Sequence, residues 1–126
     1  MSTLFDTVPK EDYLAFYQGN KPQYNRITQF LKFKKEDISR ATGFSQNSVR
    51  YEDDKMPAEL KERIKEWAIL YNLVAGFFKG DAEKTYQWFI TSNPLLGNVS
   101  PRDMIRFGRF KKLHKFVQNA LAENKG

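Results

Sequence analysis

The spacing of apolar residues is helical over most of the chain. Between residues 57 and 78 apolar side chains recur at steps of 4, 3, 4, 3 and 4, the period of a helix that buries one face. We therefore predict one long helix here, and an ordinary core helix is the favoured interpretation, with a dimer seam as the alternative. The seam residues are Leu60, Ile64, Trp67, Tyr71, Val74 and Phe78.

Glycines, prolines and capping residues divide the rest of the chain into shorter predicted helices. No six-residue stretch alternates cleanly with β-branched content, so no strand is predicted and the expected fold class is all-α. Whether the aromatic residues between 13 and 17 pack on the core or on a second subunit stays open. The predicted shorter helices cover about residues 9–17, 24–33, 35–41, 45–51, 82–90, 101–107 and 110–123.

Two of these helices have the pattern of a helix-turn-helix. Ile38 points the first helix into the core, Gly43 stands where the turn needs a positive φ, and Val49 anchors the second helix. The polar residues between them would face outward toward base edges and phosphates. A purely structural corner is the alternative, and the acids at 52–54 would repel phosphates. The candidate DNA-binding residues are Ser45, Gln46, Asn47, Ser48 and Arg50.

Charge and composition narrow the class of partner. The 126 residues carry a net charge of +6, with seven bases against four acids in 21–53 and seven against two in 93–126. Basic blocks favour nucleic acid, although they also solvate helix faces. The absence of cysteine excludes disulfides and favours a cytoplasmic location. Nothing in the sequence is typical of a signal peptide or a membrane span, so we expect no membrane contact.

The sequence contains no recognisable catalytic set. His114 is the only histidine, and on a lysine-rich helix a surface or helix-end position is the favoured interpretation. No glycine-rich phosphate loop and no nucleophile motif appears. We therefore expect no enzyme activity, no metal and no cofactor.

A second motif lies between residues 88 and 106. It consists of a helix ending in aromatics, an Asn-Pro, a Leu-Gly turn, a Ser-Pro helix start and an Ile-Arg, and most of its apolar residues, including Leu95, are expected in the core. In order and spacing it resembles the toxin-binding domain of the Xre/MbcA/ParS antitoxin family. The upstream segment 35–51 resembles the helix-turn-helix of Xre/Cro-like regulators, so the resemblance covers about residues 25–122. The motif residues are Trp88, Asn93, Pro94, Leu96, Gly97, Ser100, Pro101, Ile105 and Arg106.

The resemblance implies the antitoxin of a type II toxin–antitoxin pair. The C-terminal domain would bind and block a cognate toxin, commonly one of the RES class that consumes NAD, and the helix-turn-helix would bind double-stranded DNA at the protein's own promoter. A homodimer is implied, because such repressors bind paired half-sites. The stretch 108–112 is more basic than the family pattern, which suggests a different toxin or a second surface for DNA. The candidate toxin-binding residues are Asn93, Leu96, Arg106 and Lys115.

Four segments follow from these predictions. Residues 1–22 form an N-terminal segment, 23–56 the helix-turn-helix, 57–80 a connecting core helix and 81–126 a helical toxin-binding domain packed with the N-terminal unit. Two alternatives remain: a stand-alone helix-turn-helix regulator, and a protein-interaction module that has lost DNA binding.

Overall fold

A long central helix organises the fold. The computed structural model describes residues 11–52 and 55–125, which form six α-helices and a two-stranded antiparallel sheet. The strands are β1 (Tyr17–Gln18) and β2 (Lys21–Pro22). The helices are α1 (Tyr24–Phe30), α2 (Lys35–Thr42), α3 (Ala58–Phe77), α4 (Ala82–Ile90), α5 (Pro101–Arg106) and α6 (Phe110–Lys125). Two short 3₁₀ helices span Gln46–Ser48 and Pro94–Leu96.

The predicted seam of α3 is the core of the monomer. Leu60, Ile64, Trp67 and Tyr71 are at most 2 % exposed, and Phe78 packs partly buried against the same cluster. α3 contacts α1 on one side and α4 and α6 on others. The core-helix interpretation is therefore confirmed. The dimer-seam alternative is wrong, because these side chains already have their partners within one chain.

One hydrophobic cluster joins the N-terminal and C-terminal halves. The Tyr71 ring lies 6.0 Å from the ring of Phe16, 5.3 Å from Phe30 and 5.1 Å from Phe89, measured between centroids. Edge-to-face arrangements at such distances stabilise aromatic clusters beyond their area of burial. The two halves are thus held together by residues drawn from the N-terminal segment, α1, α3 and α4.

Arg102 adds a polar link between the same halves. Its Nε donates to the carbonyl oxygen of Leu31 at 2.7 Å, and its guanidinium carbon lies 4.9 Å from the centre of the Phe33 ring. A charged donor makes a stronger bond than a neutral one. Arg102 therefore fastens α5 to the connection between α1 and α2, a role that sequence reasoning did not assign to it.

The predicted N-terminal helix is wrong over its described part, residues 11–17. The Asp12 carboxylate accepts hydrogen bonds from the backbone N–H groups of Phe16 (3.0 Å) and Tyr17 (2.8 Å), and Ala15 takes a positive φ of 55°. The chain then enters β1 and returns through β2, so the prediction of no strands is also wrong. Phe16 is buried in the core and Tyr17 packs partly buried against it, so the open question is answered for these two residues. Tyr13 is 43 % exposed, and for it the question stays open. Residues 9 and 10 lie outside the described residues.

α1 ends three residues before the predicted boundary. Lys32 adopts a left-handed φ of 58°, and the N–H of Phe33 donates back to the carbonyl of Thr28 at 3.0 Å. This is the Schellman arrangement, in which a left-handed residue closes the last turn. α3 ends in the same way, with Lys79 at φ 58°. Glycine is the usual residue at this position, so a lysine gives no sign in the sequence that the helix stops.

The second helix of the predicted helix-turn-helix is wrong as an α-helix. Gly43 has the expected positive φ of 83°, and Val49 is fully buried as predicted. Between them, however, only Gln46–Ser48 is helical, as one 3₁₀ turn. Asn, Ser and Val are weak helix formers, and Val49 leaves the turn in an extended conformation. Tyr51 then bonds to the Thr28 hydroxyl at 2.8 Å, which holds the chain in that extended course.

The predicted caps of the C-terminal half are confirmed, but one predicted core residue is not. The Asp81 side chain accepts from the N–H of Lys84 at 3.0 Å, and the Ser100 hydroxyl accepts from the N–H of Asp103 at 3.1 Å. Leu95, expected in the core, is 79 % exposed. It occupies the middle of a three-residue 3₁₀ helix, which directs its neighbour Leu96 toward the core instead.

Candidate partner-binding and nucleic-acid surfaces

An apolar groove of about 230 Å³ lies between the end of α3, α4, the 94–96 turn and α6. Among the described residues that line it, only Asn93 is polar. Phe77 is 53 % exposed and Leu95 79 % exposed at its edge. Large apolar side chains this accessible are typical of surfaces that bind another protein. The lining residues are Val74, Phe77, Phe78, Trp88, Asn93, Leu95, Phe116, Val117, Ala120 and Leu121.

Backbone geometry in the 93–100 turn sets the position of Leu95. The Asn93 side-chain oxygen accepts the N–H of Leu95 at 2.9 Å, and Asn93 and Val99 form an antiparallel bridge. Gly97 (φ 75°) and Asn98 (φ 64°) both take left-handed conformations, which glycine and asparagine adopt at low cost. The turn is therefore closed on itself by its own polar groups, and Leu95 projects outward from it.

The structure separates the predicted toxin-binding residues. Asn93 lines the groove, while Leu96 beside it is partly buried against the core. Arg106 lies elsewhere, with its Nε donating to the Asp103 carboxylate at 3.0 Å. Lys115 is exposed on α6, in a cleft with Glu66. Sequence reasoning missed Phe77 and Leu95, because an apolar residue in the printed sequence looks the same whether it is buried or exposed.

Four of the five predicted DNA-binding residues lie together on the surface, in residues 45–48. Ser45, Gln46 and Asn47 are exposed on the 3₁₀ turn, and Ser48 is partly buried. The hydroxyls of Ser45 and Ser48 lie 3.0 Å apart, so Ser45 bonds to a side chain and not to a helix N–H as its predicted cap role required. Arg50 is exposed, but it follows the buried Val49 and lines a separate cleft next to β2.

A cationic surface borders this turn. The Phe107 ring, 43 % exposed, lies under two guanidinium groups, with its centre 5.1 Å from the Arg40 carbon and 4.5 Å from the Arg106 carbon. The loop after α5 approaches α2 closely, since a methyl group on Gly108 would lie 3.6 Å from the Ala41 carbonyl oxygen. A cleft of about 430 Å³ continues this surface toward α3 and α6. Its charged lining residues are Arg63, Glu66, Arg109, Lys111 and Lys112.

Burial perturbs the pKa values of several groups, of which Glu66 and His114 line the same cleft. Burial raises the pKa of Tyr71, whose hydroxyl lies among aromatic rings and has no hydrogen-bond partner among the described residues. Burial also raises the pKa of Glu66, opposed by Arg63 and Lys111, and lowers that of His114. In the described parts of the chain, no three His, Cys, Asp or Glu residues are grouped as a metal would require. Within residues 11–52 and 55–125, no helix is both long enough and apolar enough to cross a membrane.

Comparisons of the chain with protein-family models, with curated proteins and with solved structures found no significant match.

Proposed function

We propose that this protein is an antitoxin that binds and neutralises a cognate toxin of the RES class, and that it represses its own promoter. The observation that carries the proposal is the apolar groove whose rim is formed by Leu95, in the middle of the motif resembling the toxin-binding domain. An exposed leucine next to exposed Phe77 provides the kind of apolar anchor that dominates protein interfaces. A toxin segment with apolar side chains on one face would fill the groove.

Co-expression with the protein encoded by the adjacent gene tests this function. We expect a stable complex in a pull-down and relief of growth inhibition when both proteins are present. Leu95→Ser removes an exposed apolar anchor, so we expect it to weaken the complex by about 2 kcal/mol, or roughly 30-fold, without affecting folding. Ile90→Ser is the matched control, because Ile90 is also an exposed apolar residue (38 %) but does not line the groove.

The outcomes separate the alternatives. No complex and no rescue would leave a stand-alone regulator as the better hypothesis. A complex weakened equally by Leu95→Ser and Ile90→Ser would place the toxin on another surface. If intracellular NAD falls when the neighbouring protein is expressed alone and recovers on co-expression, the RES class of the toxin is supported.

A protein-interaction module without sequence-specific DNA binding competes with the repressor part of the proposal. The 3₁₀ turn Gln46–Ser48 is only three residues long, so it presents far less length to a major groove than a recognition helix does. This observation favours a protein-interaction module that has lost sequence-specific DNA binding. Titration of the promoter duplex against wild type and Gln46→Ala separates the two, since a base contact made by Gln46 is worth about 1–3 kcal/mol of discrimination.

A further inference from the structure

The cationic surface combines basic side chains from four helices and from the loop between α5 and α6. It comprises Arg40 at the end of α2, Arg63 on α3, Arg106 at the end of α5, Arg109 in the following loop, and Lys111 and Lys112 in the first turn of α6. Contacts to the Phe107 ring hold the α2 and α5 guanidinium groups next to each other. The charge is therefore concentrated by tertiary structure, since Arg40 is distant in sequence from the others.

Three acidic side chains lie within or beside this surface, and each has a basic neighbour. Glu62 acts electrostatically on Glu66 and forms an ion pair with Lys65 at 2.7 Å. Asp103 accepts a hydrogen bond from the Nε of Arg106 at 3.0 Å. Glu66 lines the cleft together with Arg63 and Lys111, and both bases act on its carboxylate electrostatically. Six basic groups against Asp103, Glu66 and the neighbouring Glu62 leave the surface positive. Arg40, Arg109, Lys111 and Lys112 are all exposed to solvent.

Two of these charges are placed where the dipole of α6 disfavours them. Lys111 and Lys112 lie in the first turn of α6, which has no acidic residue. The positive end of the helix dipole favours acidic side chains there and disfavours basic ones by several tenths of a kcal/mol. The attraction between Lys111 and Glu66 offsets this cost for Lys111. The placement of Lys112 is therefore the one that an anionic partner explains better than stability of the helix.

We propose that the cationic surface binds the sugar-phosphate backbone of duplex DNA, next to the 3₁₀ turn Gln46–Ser48. The turn and the surface are linked through α2, because Arg40 lies in the last turn of that helix and the 46–48 turn packs against the same helix. The turn itself presents uncharged side chains, so it lacks the positive charges that supply most non-specific affinity for DNA. The surface supplies them, and in this respect the inference rests on the proposed repressor function.

A duplex fits this surface better than an unpaired strand does. Proteins that bind single strands usually stack bases on exposed aromatic faces. The exposed aromatic ring within the surface is Phe107, and two guanidinium groups already lie over it. The basic groups are instead fixed on packed helices, which suits the regular phosphate spacing of a duplex.

Fluorescence anisotropy with a labelled duplex at several salt concentrations tests the proposal. Because each phosphate contact contributes about 0.9 to the slope of log K against log salt, Arg109→Ala/Lys112→Ala is expected to make the slope shallower by roughly 2 and to weaken binding about 10- to 100-fold at low salt. Lys79→Ala/Lys84→Ala is the matched control, since it removes the same charge from exposed sites around the start of α4. We expect less than about a twofold change from the control. Circular dichroism checks that both variants fold.

Each outcome decides a different question. If wild type binds the duplex and both double variants lose the same slope, net charge explains the affinity and the proposed surface is overturned, while the repressor function stands. If wild type does not bind duplex at all, the repressor function fails and this surface fails with it. If an unpaired strand binds more tightly than the duplex and depends on Arg109 and Lys112, the duplex is the wrong occupant.

Discussion

The pair Asp12 and Asn72 fastens the N-terminal segment to the central helix, and its removal is expected to be costly. Asn72, 4 % exposed on α3, donates from Nδ2 to the Asp12 carboxylate at 3.0 Å and accepts the N–H of Leu14 at 3.1 Å. Asn72→Ala removes the hydrogen bond to the Asp12 carboxylate, and a hydrogen bond to a charged group is worth about 1.5–3 kcal/mol. It also leaves the backbone N–H of Leu14 without its acceptor, which costs about 1–3 kcal/mol. Since the segment lies near the surface and water can partly replace these bonds, we expect a loss of about 3 kcal/mol.

Urea unfolding followed by circular dichroism measures this loss. Against a total stability of about 5–15 kcal/mol, 3 kcal/mol lowers the urea midpoint clearly. Asp12→Ala and the double variant complete a cycle, and we expect a coupling energy of about 1–2 kcal/mol between the two positions. Gln87→Ala is a matched control, because Gln87 also donates an amide N–H to a carboxylate, that of Glu83 at 3.2 Å, but at an exposed site.

Exposed pairs of this kind are worth about 0.2–0.5 kcal/mol, so Gln87→Ala is expected to have little effect. The reasoning is refuted if the effects of Asp12→Ala and Asn72→Ala add within about 0.5 kcal/mol. It is also refuted if the Asn72 and Gln87 variants lose equal stability, since burial would then not be what makes the first pair strong.

Three further predictions concern single sites. Ser100→Ala removes the hydroxyl that caps α5 through the Asp103 N–H and is expected to cost about 1 kcal/mol in urea unfolding; an unchanged midpoint would contradict the cap. Lys79→Gly relieves a left-handed lysine and is expected to raise stability by about 0.5–1 kcal/mol, whereas a loss would mean that the lysine side chain makes a stabilising contact. Burial lowers the folded-state pKa of His114 below its ordinary value of 6.5, so the unfolded state binds the proton more tightly and stability is lost as pH falls through 6.5 toward the folded pKa. His114→Gln is expected to remove this part of the pH dependence of stability. If the urea midpoints of wild type and His114→Gln fall in parallel between about pH 7.5 and pH 5, His114 is not the cause.

Features that depend on local chemistry were predictable from the sequence. The apolar period of α3, the cap residues Asp81 and Ser100, and the left-handed Gly43 all follow from residues within one or two turns of each other. Such signals need no knowledge of the rest of the chain. The mostly helical class was therefore evident before any tertiary contact was known.

Features that depend on distant partners were not predictable. The carboxylate of Asp12, which organises the non-helical segment 11–17, is also held by Asn72, sixty residues further on. The end of α1 is marked by a left-handed Lys32, which nothing in its neighbours reveals. The same limit applies to the cationic surface, because Arg40 meets Phe107 only after α2 and α5 pack together.

The C-terminal motif separates into a geometric part and an exposed part. Asn93, Gly97, Asn98 and Ser100 cap, reverse or close the backbone, so their spacing describes the shape of the turn. Leu95 is a residue that this shape pushes outward, and its identity is not needed for any backbone bond. If the resemblance carries function as well as form, Asn93→Ala will change stability first, through the turn, and Leu95→Ser will change toxin binding at unchanged stability. If instead Asn93→Ala weakens toxin binding at unchanged stability and Leu95→Ser does not, the motif residues themselves contact the partner and the groove does not.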